Sequence, residues 1–105
     1  METVQRILAR VGATAEVPLE AAPGGGYLWE VSLPDEGRHL IDVLEQVYER
    51  TGPPVGAPVV QRFRFRLLGP GEVPLVFRYR RPWENIPARE DRSVLLRIEA
   101  RSEIS

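Results

Sequence analysis

The chain has 105 residues, an apolar fraction of 43% and a formal net charge of -1. These values fit one globular domain and give no strong field for attracting nucleic acid or an anionic membrane, so neither is an expected partner. Cysteine is absent, which excludes disulfides, thiolate metal sites and a cysteine nucleophile.

No segment has the roughly 20 consecutive apolar residues of a membrane-spanning helix. Residues 1–10 carry Glu2, Arg6 and Arg10 and lack the apolar run of a signal peptide. We therefore expect a cytoplasmic protein, with export left open because a signal can be removed.

Short strands separated by turn residues are predicted along most of the chain. Ten prolines and nine glycines cluster between the apolar runs, as in a sandwich or a small barrel. Residues 15–19 alternate between apolar and polar side chains, and Pro18 favours an edge strand. Residues 21–26 have the composition of a loop, and residues 27–32 form a predicted strand that contains Trp29 and Val31.

Residues 40–48 have an ambiguous pattern. Their apolar side chains follow the spacing of an amphipathic helix, whereas Ile41, Val43 and Val47 could also share one face of a strand. The local pattern by itself favours the helix. A loop rich in proline and glycine follows at residues 51–58.

The alternation is clearest in the second half of the chain. Apolar residues at 63, 65 and 67 and at 75, 77 and 79 flank the turn Gly69-Pro70-Gly71, which predicts a hairpin with one apolar and one polar face. After a long loop at 81–92, Val94, Leu96 and Ile98 mark a last strand. We predict an all-β fold, an immunoglobulin-like β-sandwich spanning residues 1–105 as one domain, with small barrels still possible.

Catalytic and metal-binding patterns are weak, and we expect neither an enzyme nor a bound cofactor or metal. His39 is the single histidine, with no carboxylates at metal-ligand spacing, and no nucleophile stands beside a base. Residues 22–26 are rich in glycine but lack the Lys-Ser/Thr of a phosphate-binding loop. We interpret them as a connecting loop.

An arginine pattern offers a second possibility. Five arginines are predicted on one polar sheet face, at positions 62, 64, 66, 78 and 80, and such a face could bind RNA or another polyanion. We favour a solvated face crossed by acidic residues such as Glu99 from neighbouring strands.

The segment Arg81-Pro82-Trp83-Glu84 gives the most specific signal. It follows a strand that ends near Tyr79, and Pro82 restricts the backbone beside Trp83. Loop tryptophan and arginine are frequent binding hot spots. The alternative is a tryptophan folded back onto the end of the sandwich.

Three segments, in this order, make the chain resemble the chagasin-like inhibitors of papain-family cysteine proteases. The resemblance covers about residues 11–98. The segments are Ala22-Pro23-Gly24-Gly25-Gly26-Tyr27 followed by Trp29, then Gly56-Ala57-Pro58-Val59 before Phe63-Arg64-Phe65, and Tyr79-Arg80-Arg81-Pro82-Trp83-Glu84.

The resemblance implies an immunoglobulin-like sandwich with three binding loops at one end, which block the protease cleft reversibly. It also implies that residues 40–48 are strand and loop. The protease-binding residues that it implies are Pro23, Gly24, Gly25, Gly26, Tyr27, Gly56, Ala57, Pro58, Arg81, Pro82 and Trp83.

The sequence departs from the family pattern in the first segment. Ala22 stands where the family has asparagine, and Gly24 and Gly25 stand where it has two threonines. The leading hypothesis, from the resemblance, is a monomeric inhibitor of papain-like cysteine proteases, and the departures motivate one alternative. The alternative is a non-inhibitory interaction module of the same fold.

Overall fold

The computed structural model describes residues 4–21, 26–50 and 59–101. These residues form seven strands and one short 3-10 helix at Arg38–Leu40. The strands are β1 (Val4–Arg10), β2 (Thr14–Ala21), β3 (Leu28–Ser32), β4 (Ile41–Arg50), β5 (Val59–Leu67), β6 (Gly71–Arg80) and β7 (Glu90–Glu99).

The strands form two sheets that pack face to face, which confirms the predicted all-β sandwich. One sheet has the order β1-β7-β6-β3, and the other has the order β2-β5-β4. Strand β2 lies at a sheet edge, as Pro18 predicted, because a strand with a missing N–H fits best where one side has no partner.

The core lies between the sheets and is made by the apolar residues of the alternating strands. In β2 every second residue from Ala15 to Ala21 is buried, and in β5 the inward positions are buried in the same way. Phe77 of β6 meets Phe63 of β5 edge to face, with ring centroids 5.0 Å apart. The aromatic contact therefore joins the two sheets near the middle of the core.

The predicted hairpin is wrong. Strand β5 pairs with β2 and β4, whereas β6 pairs with β3 and β7, so the turn at residues 69–71 crosses from one sheet to the other. Alternation in the sequence shows which face of a strand is buried. The alternation is the same for two strands that pair within one sheet and for two strands that face each other across a core.

The local helix prediction for residues 40–48 is also wrong, and the strand implied by the family resemblance is confirmed. Strand β4 pairs antiparallel with β5, and its register shifts between Val43 and Gln46 because one extra residue is inserted there. A bulge of one residue reverses the inside-outside alternation. Apolar residues on the two sides of the bulge are therefore spaced as they would be in a helix.

Strand β1 was not predicted. It pairs parallel with β7 from Val4↔Ser93 to Arg10↔Glu99, so the first described strand lies beside the last. Its inward residues Ile7 and Ala9 pack against the core, while Leu8 is exposed. Two inward residues give too short an alternation to predict a strand.

Candidate functional site

Three chain connections leave the sandwich at the same end, which we call the loop end. In the three-stranded sheet, the last residue of β2 (Ala21) and the last residue of β4 (Arg50) are both in register with the first residue of β5 (Val59). In the other sheet, the first residue of β3 (Leu28) is in register with Arg80 at the end of β6.

A hydrogen bond joins the two sheets at this end. The Trp29 indole Nε1 donates to the backbone oxygen of Glu20 at 2.9 Å, which brings the start of β3 to the end of β2. The strand ends that flank the three predicted binding loops therefore converge. Of the predicted site residues, Pro23, Gly24, Gly25, Gly56, Ala57 and Pro58 lie outside the described residues.

The third predicted loop spans residues 81–89 and begins with a tight turn. Glu84 N–H donates to the Arg81 backbone oxygen at 3.1 Å, and Pro82 occupies the second position of this turn, where proline is favoured. At the base of the loop, Arg89 N–H donates to the Tyr79 oxygen at 2.9 Å.

Two arginines brace this turn from the strand side. Arg81 Nη1 lies 3.2 Å from Glu84 Oε1, and Arg80 Nη2 donates to the Glu84 backbone oxygen. Glu84 is therefore held by both its side chain and its backbone. These contacts fix the turn that carries Trp83.

Trp83 combines high exposure with a defined position. Its side chain is 71% exposed, the highest value among the large apolar residues of the described chain. A Cβ atom built on Gly26 would overlap the Trp83 indole, so the ring lies directly over the backbone of that glycine. Gly26 has a φ of 78°, in the left-handed region that favours glycine.

Tyr27 links the first predicted binding segment to the third. Its ring stacks on Tyr79, with centroids 5.4 Å apart, and the Arg81 guanidinium carbon lies 4.7 Å from the Tyr27 centroid. Arg89 lies 5.3 Å from the same centroid. Cation–π contacts at partly exposed sites contribute about 0.5–1 kcal/mol each, so the two segments stabilise each other.

The aromatic contacts of Tyr27 and Tyr79 extend into the core through Trp29, which is 3% exposed. The ring centroids of Trp29 and Tyr79 lie 4.8 Å apart, and the Arg92 guanidinium carbon lies 5.3 Å from the Trp29 centroid. The half-buried Tyr27 and Tyr79 at the loop end are thus supported from the core.

Sequence reasoning missed Gln61, a polar residue of β5 with no exposed surface. Trp29 N–H donates to Gln61 Oε1 at 2.8 Å, and Gln61 Nε2 donates to the Trp29 oxygen at 3.2 Å. A signal was present, because residue 61 shares the inward alternation of Phe63, Phe65 and Leu67. A polar residue at an inward position indicates a buried hydrogen-bonding role.

The predicted single arginine face is wrong. Arg62, Arg64 and Arg66 lie on β5, whereas Arg78 and Arg80 lie on β6 in the other sheet, and the outward faces of the two sheets point in opposite directions. Arg64 contacts Glu16 and Glu45, at 3.1 and 3.4 Å, and Arg62 contacts Glu49 at 3.2 Å. The β5 arginines thus lie on a solvated face crossed by acids, which leaves the polyanion hypothesis without its basis.

Within residues 4–21, 26–50 and 59–101, few side chains could support a metal site or catalysis. Within these ranges no three histidine or carboxylate side chains come together to hold a metal ion, and His39 is exposed in the 3-10 helix. No helix in the same ranges is long and apolar enough to span a membrane.

Comparison with known proteins gives a family match over most of the chain. The family model described as "Chagasin family peptidase inhibitor I42" matches residues 9–98 of this chain. Among curated proteins, no sequence matches significantly.

Solved structures share the fold. The cysteine protease inhibitor EhICP2 from Entamoeba histolytica has a TM-score of 0.72 at 17% identity, covering 91% of this chain and 96% of its own. Amebosin has a TM-score of 0.61 at 26% identity, with 94% and 89% coverage. PbICP-C, solved in complex with falcipain-2, has a TM-score of 0.61 at 18% identity, with 95% and 91% coverage.

Proposed function

The chain belongs to the chagasin family of peptidase inhibitors, and from that premise we propose that it reversibly inhibits papain-like cysteine proteases by inserting its loop end into the active-site cleft. The observation that carries the proposal is Trp83, which is 71% exposed and is held over Gly26 by a braced turn. An exposed tryptophan with a fixed position is a typical interface anchor.

The shape of the loop end supports this mode of action. The strand ends that flank the three binding segments converge at one end of a molecule whose extents are 53 × 31 × 25 Å. Loops that converge at one end of a sandwich can enter a cleft together, whereas the flat face of a sheet would bridge it. A standard protein–protein interface of about 1,600 Å² in total would involve most of this end.

The rigidity of the third loop supports reversible rather than substrate-like binding. Its turn and base are closed by backbone hydrogen bonds at Glu84 and Arg89, and Tyr27 stacks against its root. A loop that is ordered before binding loses less conformational entropy on binding. In this proposal the protein acts by blocking the cleft with a loop that is ordered before binding.

The site residues of this proposal are the described members Gly26, Tyr27, Arg81, Pro82 and Trp83, together with the predicted segments at 23–25 and 56–58. PbICP-C in complex with falcipain-2 gives a precedent for a protein of this fold bound to a protease. The glycine-rich first segment presents little side-chain surface, so Trp83 and Arg81 are expected to supply most of the binding energy.

Inhibition kinetics test the proposal. The purified chain is titrated against papain and several papain-like proteases with a small fluorogenic peptide substrate. We expect an apparent inhibition constant that rises linearly with substrate concentration, because cleft blockage is competitive, and an intact chain by mass spectrometry after long incubation.

Trypsin serves as the control, because its serine nucleophile lies in an unrelated active site. Full activity of every papain-like protease at micromolar inhibitor would contradict the proposal. The chain would then be a non-inhibitory interaction module of the same fold.

A further inference from the structure

Gln61 is the single polar side chain in the buried core of the described residues. It is the third residue of β5, close to the point where that strand leaves the loop end. A buried amide must find hydrogen-bond partners, since leaving one unsatisfied is destabilising. Gln61 finds both partners on one residue of the opposite sheet.

The two hydrogen bonds of Gln61 imitate a strand pairing. Trp29 donates its N–H to Oε1 and accepts at its carbonyl oxygen from Nε2, at 2.8 and 3.2 Å. In an antiparallel ladder, a hydrogen-bonded residue pair exchanges two such bonds in the same way. Strand β3 is an edge strand, so the Gln61 side chain takes the place of a strand on its unpaired side.

This pairing joins the two sheets close to the point where the binding segments leave. Trp29 is the second residue of β3, and β3 begins directly after the first binding segment. The β5 strand begins directly after the second. The Trp29 ring also contacts the Tyr79 ring in a tilted arrangement, and Tyr79 stacks on Tyr27, so the third segment is held to the same point.

We propose that Gln61 is a positioning residue for inhibition, which fixes the spacing of the strand ends at the loop end so that the binding segments are assembled before they meet the protease. The effect on inhibition rests on the proposed function. Gln61 is buried and has no surface with which to touch a partner. It acts through Trp29.

A positioning role predicts a different kinetic effect from a contact role. If only a fraction of the free protein is in the binding-competent arrangement, the apparent association constant equals the intrinsic association constant multiplied by that fraction. Once bound, the contacts are those of wild type. Gln61 variants should therefore lower the association rate and leave the dissociation rate nearly unchanged, whereas loss of a contact residue chiefly raises the dissociation rate.

The first readout needs no protease. Because the chain has no cysteine, spin labels can be attached at Leu28→Cys in β3 and Glu49→Cys in β4, two exposed positions on opposite sheets. Double electron–electron resonance then measures the distance between the sheets at the loop end. We expect one narrow distribution in wild type and a broad one with Gln61→Met, which has similar length and offers Trp29 no matching donor or acceptor.

Val73→Ala is the matched control. Val73 is fully buried near the start of β6, at the opposite end from the loops, so this variant is also destabilised. Its distance distribution should remain narrow. An unchanged distribution with Gln61→Met would overturn the proposal whether or not the protein inhibits a protease.

The second readout is the pair of binding rate constants, measured with papain at a temperature where each variant is folded by circular dichroism. We expect the association rate constant of Gln61→Met to fall roughly tenfold, with the dissociation rate constant within about twofold of wild type. A normal association rate together with a broadened distribution would show that sheet spacing does not control inhibition and would reject the proposal. If wild type does not bind papain, the proposed function fails, and the distance measurement still decides the positioning of the strand ends.

Gln61→Glu gives a variant that retains the shape of the side chain. When protonated, the carboxyl can accept from Trp29 N–H and donate to its carbonyl oxygen, whereas the ionised form cannot donate. Burial raises the pKa of a carboxyl group, so the narrow distance distribution should return at pH 5 and broaden at pH 8. Wild type at both pH values controls for other titrations. A distribution as broad at pH 5 as at pH 8 would count against the two-bond geometry.

Discussion

At the scale of single residues, Gly26 and Trp83 depend on each other. The indole lies where a Cβ atom on residue 26 would be, and the glycine has a φ of 78°. The first binding segment therefore ends in a residue without a side chain for two reasons, backbone conformation and the close approach of Trp83. Neither reason could be recognised before the two segments were brought together.

Trp83→Ala should weaken binding to papain by at least about 2 kcal/mol, roughly thirty-fold in the inhibition constant, because truncating an anchor leaves its pocket on the partner empty. The measurement is a competitive titration. Leu68→Ala is the matched control, since Leu68 is also an exposed apolar residue (47%) but follows β5 at the opposite end. Equal inhibition constants for Trp83→Ala and wild type would remove Trp83 from the binding surface.

Gly26→Ala should weaken inhibition about tenfold or more while the domain stays folded, because the new methyl group displaces the Trp83 indole. Gly12→Ala provides a close control. Gly12 has a similar φ of 93°, and a Cβ built there meets nothing within 4 Å. Both variants should lose about 1 kcal/mol of stability from backbone strain, measured by urea denaturation. If Gly12→Ala inhibits as poorly as Gly26→Ala, strain rather than displacement of Trp83 is the cause.

At the scale of elements, strand β1 carries none of the predicted binding residues, and we expect it to serve as scaffold. It lies at the edge of the four-stranded sheet farthest from β3, and the family match begins only at residue 9. Its contribution is the packing of Ile7 and Ala9 on the core together with a parallel ladder to β7. A substitution in this strand should therefore lower the stability of the domain and leave its inhibition constant unchanged.

Ile7→Ala should lower the free energy of unfolding by about 1–2 kcal/mol, less than for a fully buried isoleucine because Ile7 is only partly buried. Urea denaturation measures the loss, and Gln5→Ala on the same strand should change stability by less than about 0.5 kcal/mol because Gln5 is exposed. The inhibition constant of Ile7→Ala should equal that of wild type. An altered constant would show that β1 influences the loop end.

At the scale of the whole molecule, strand pairing is mostly between distant parts of the chain. The first strand pairs with the last, β2 pairs with β5, and β3 pairs with β6. Closing such long loops costs entropy before any contact stabilises them. The sandwich should therefore fold slowly for its size.

Refolding should occur in milliseconds to seconds, the range of β-sandwich domains, and not in microseconds. Stopped-flow fluorescence of a Trp83→Phe variant measures it, because Trp29 then remains as the single tryptophan and is 3% exposed in the folded state. A Trp29→Phe variant, which reports through exposed Trp83, should show a much smaller signal change. A microsecond phase that carries most of the Trp29 signal would contradict the expectation.

The sequence predicted the strands well where alternation was long and uninterrupted. The inward residues of β2, β5, β6 and β7 are buried as the pattern indicated, except Tyr79, which is partly buried. Strand β4 was missed by the local pattern because a bulge changes its alternation, and β1 was missed because it has two inward residues. In the candidate site, Arg81, Pro82 and Trp83 were predicted from the motif that follows Tyr79, and the structure places Trp83 exposed at the loop end, whereas Gln61 was passed over.

The sequence by itself determined the all-β class, most of the core residues and the segment that carries Trp83, because alternation and proline placement are local properties. Only the tertiary structure decided which strands pair, that the arginines lie on opposite faces, and that Gly26 lies beneath Trp83 while Gln61 joins the sheets. These are contacts between residues far apart in the chain. A pattern of burial constrains which side of a strand faces inward, and it leaves open which partner is met there.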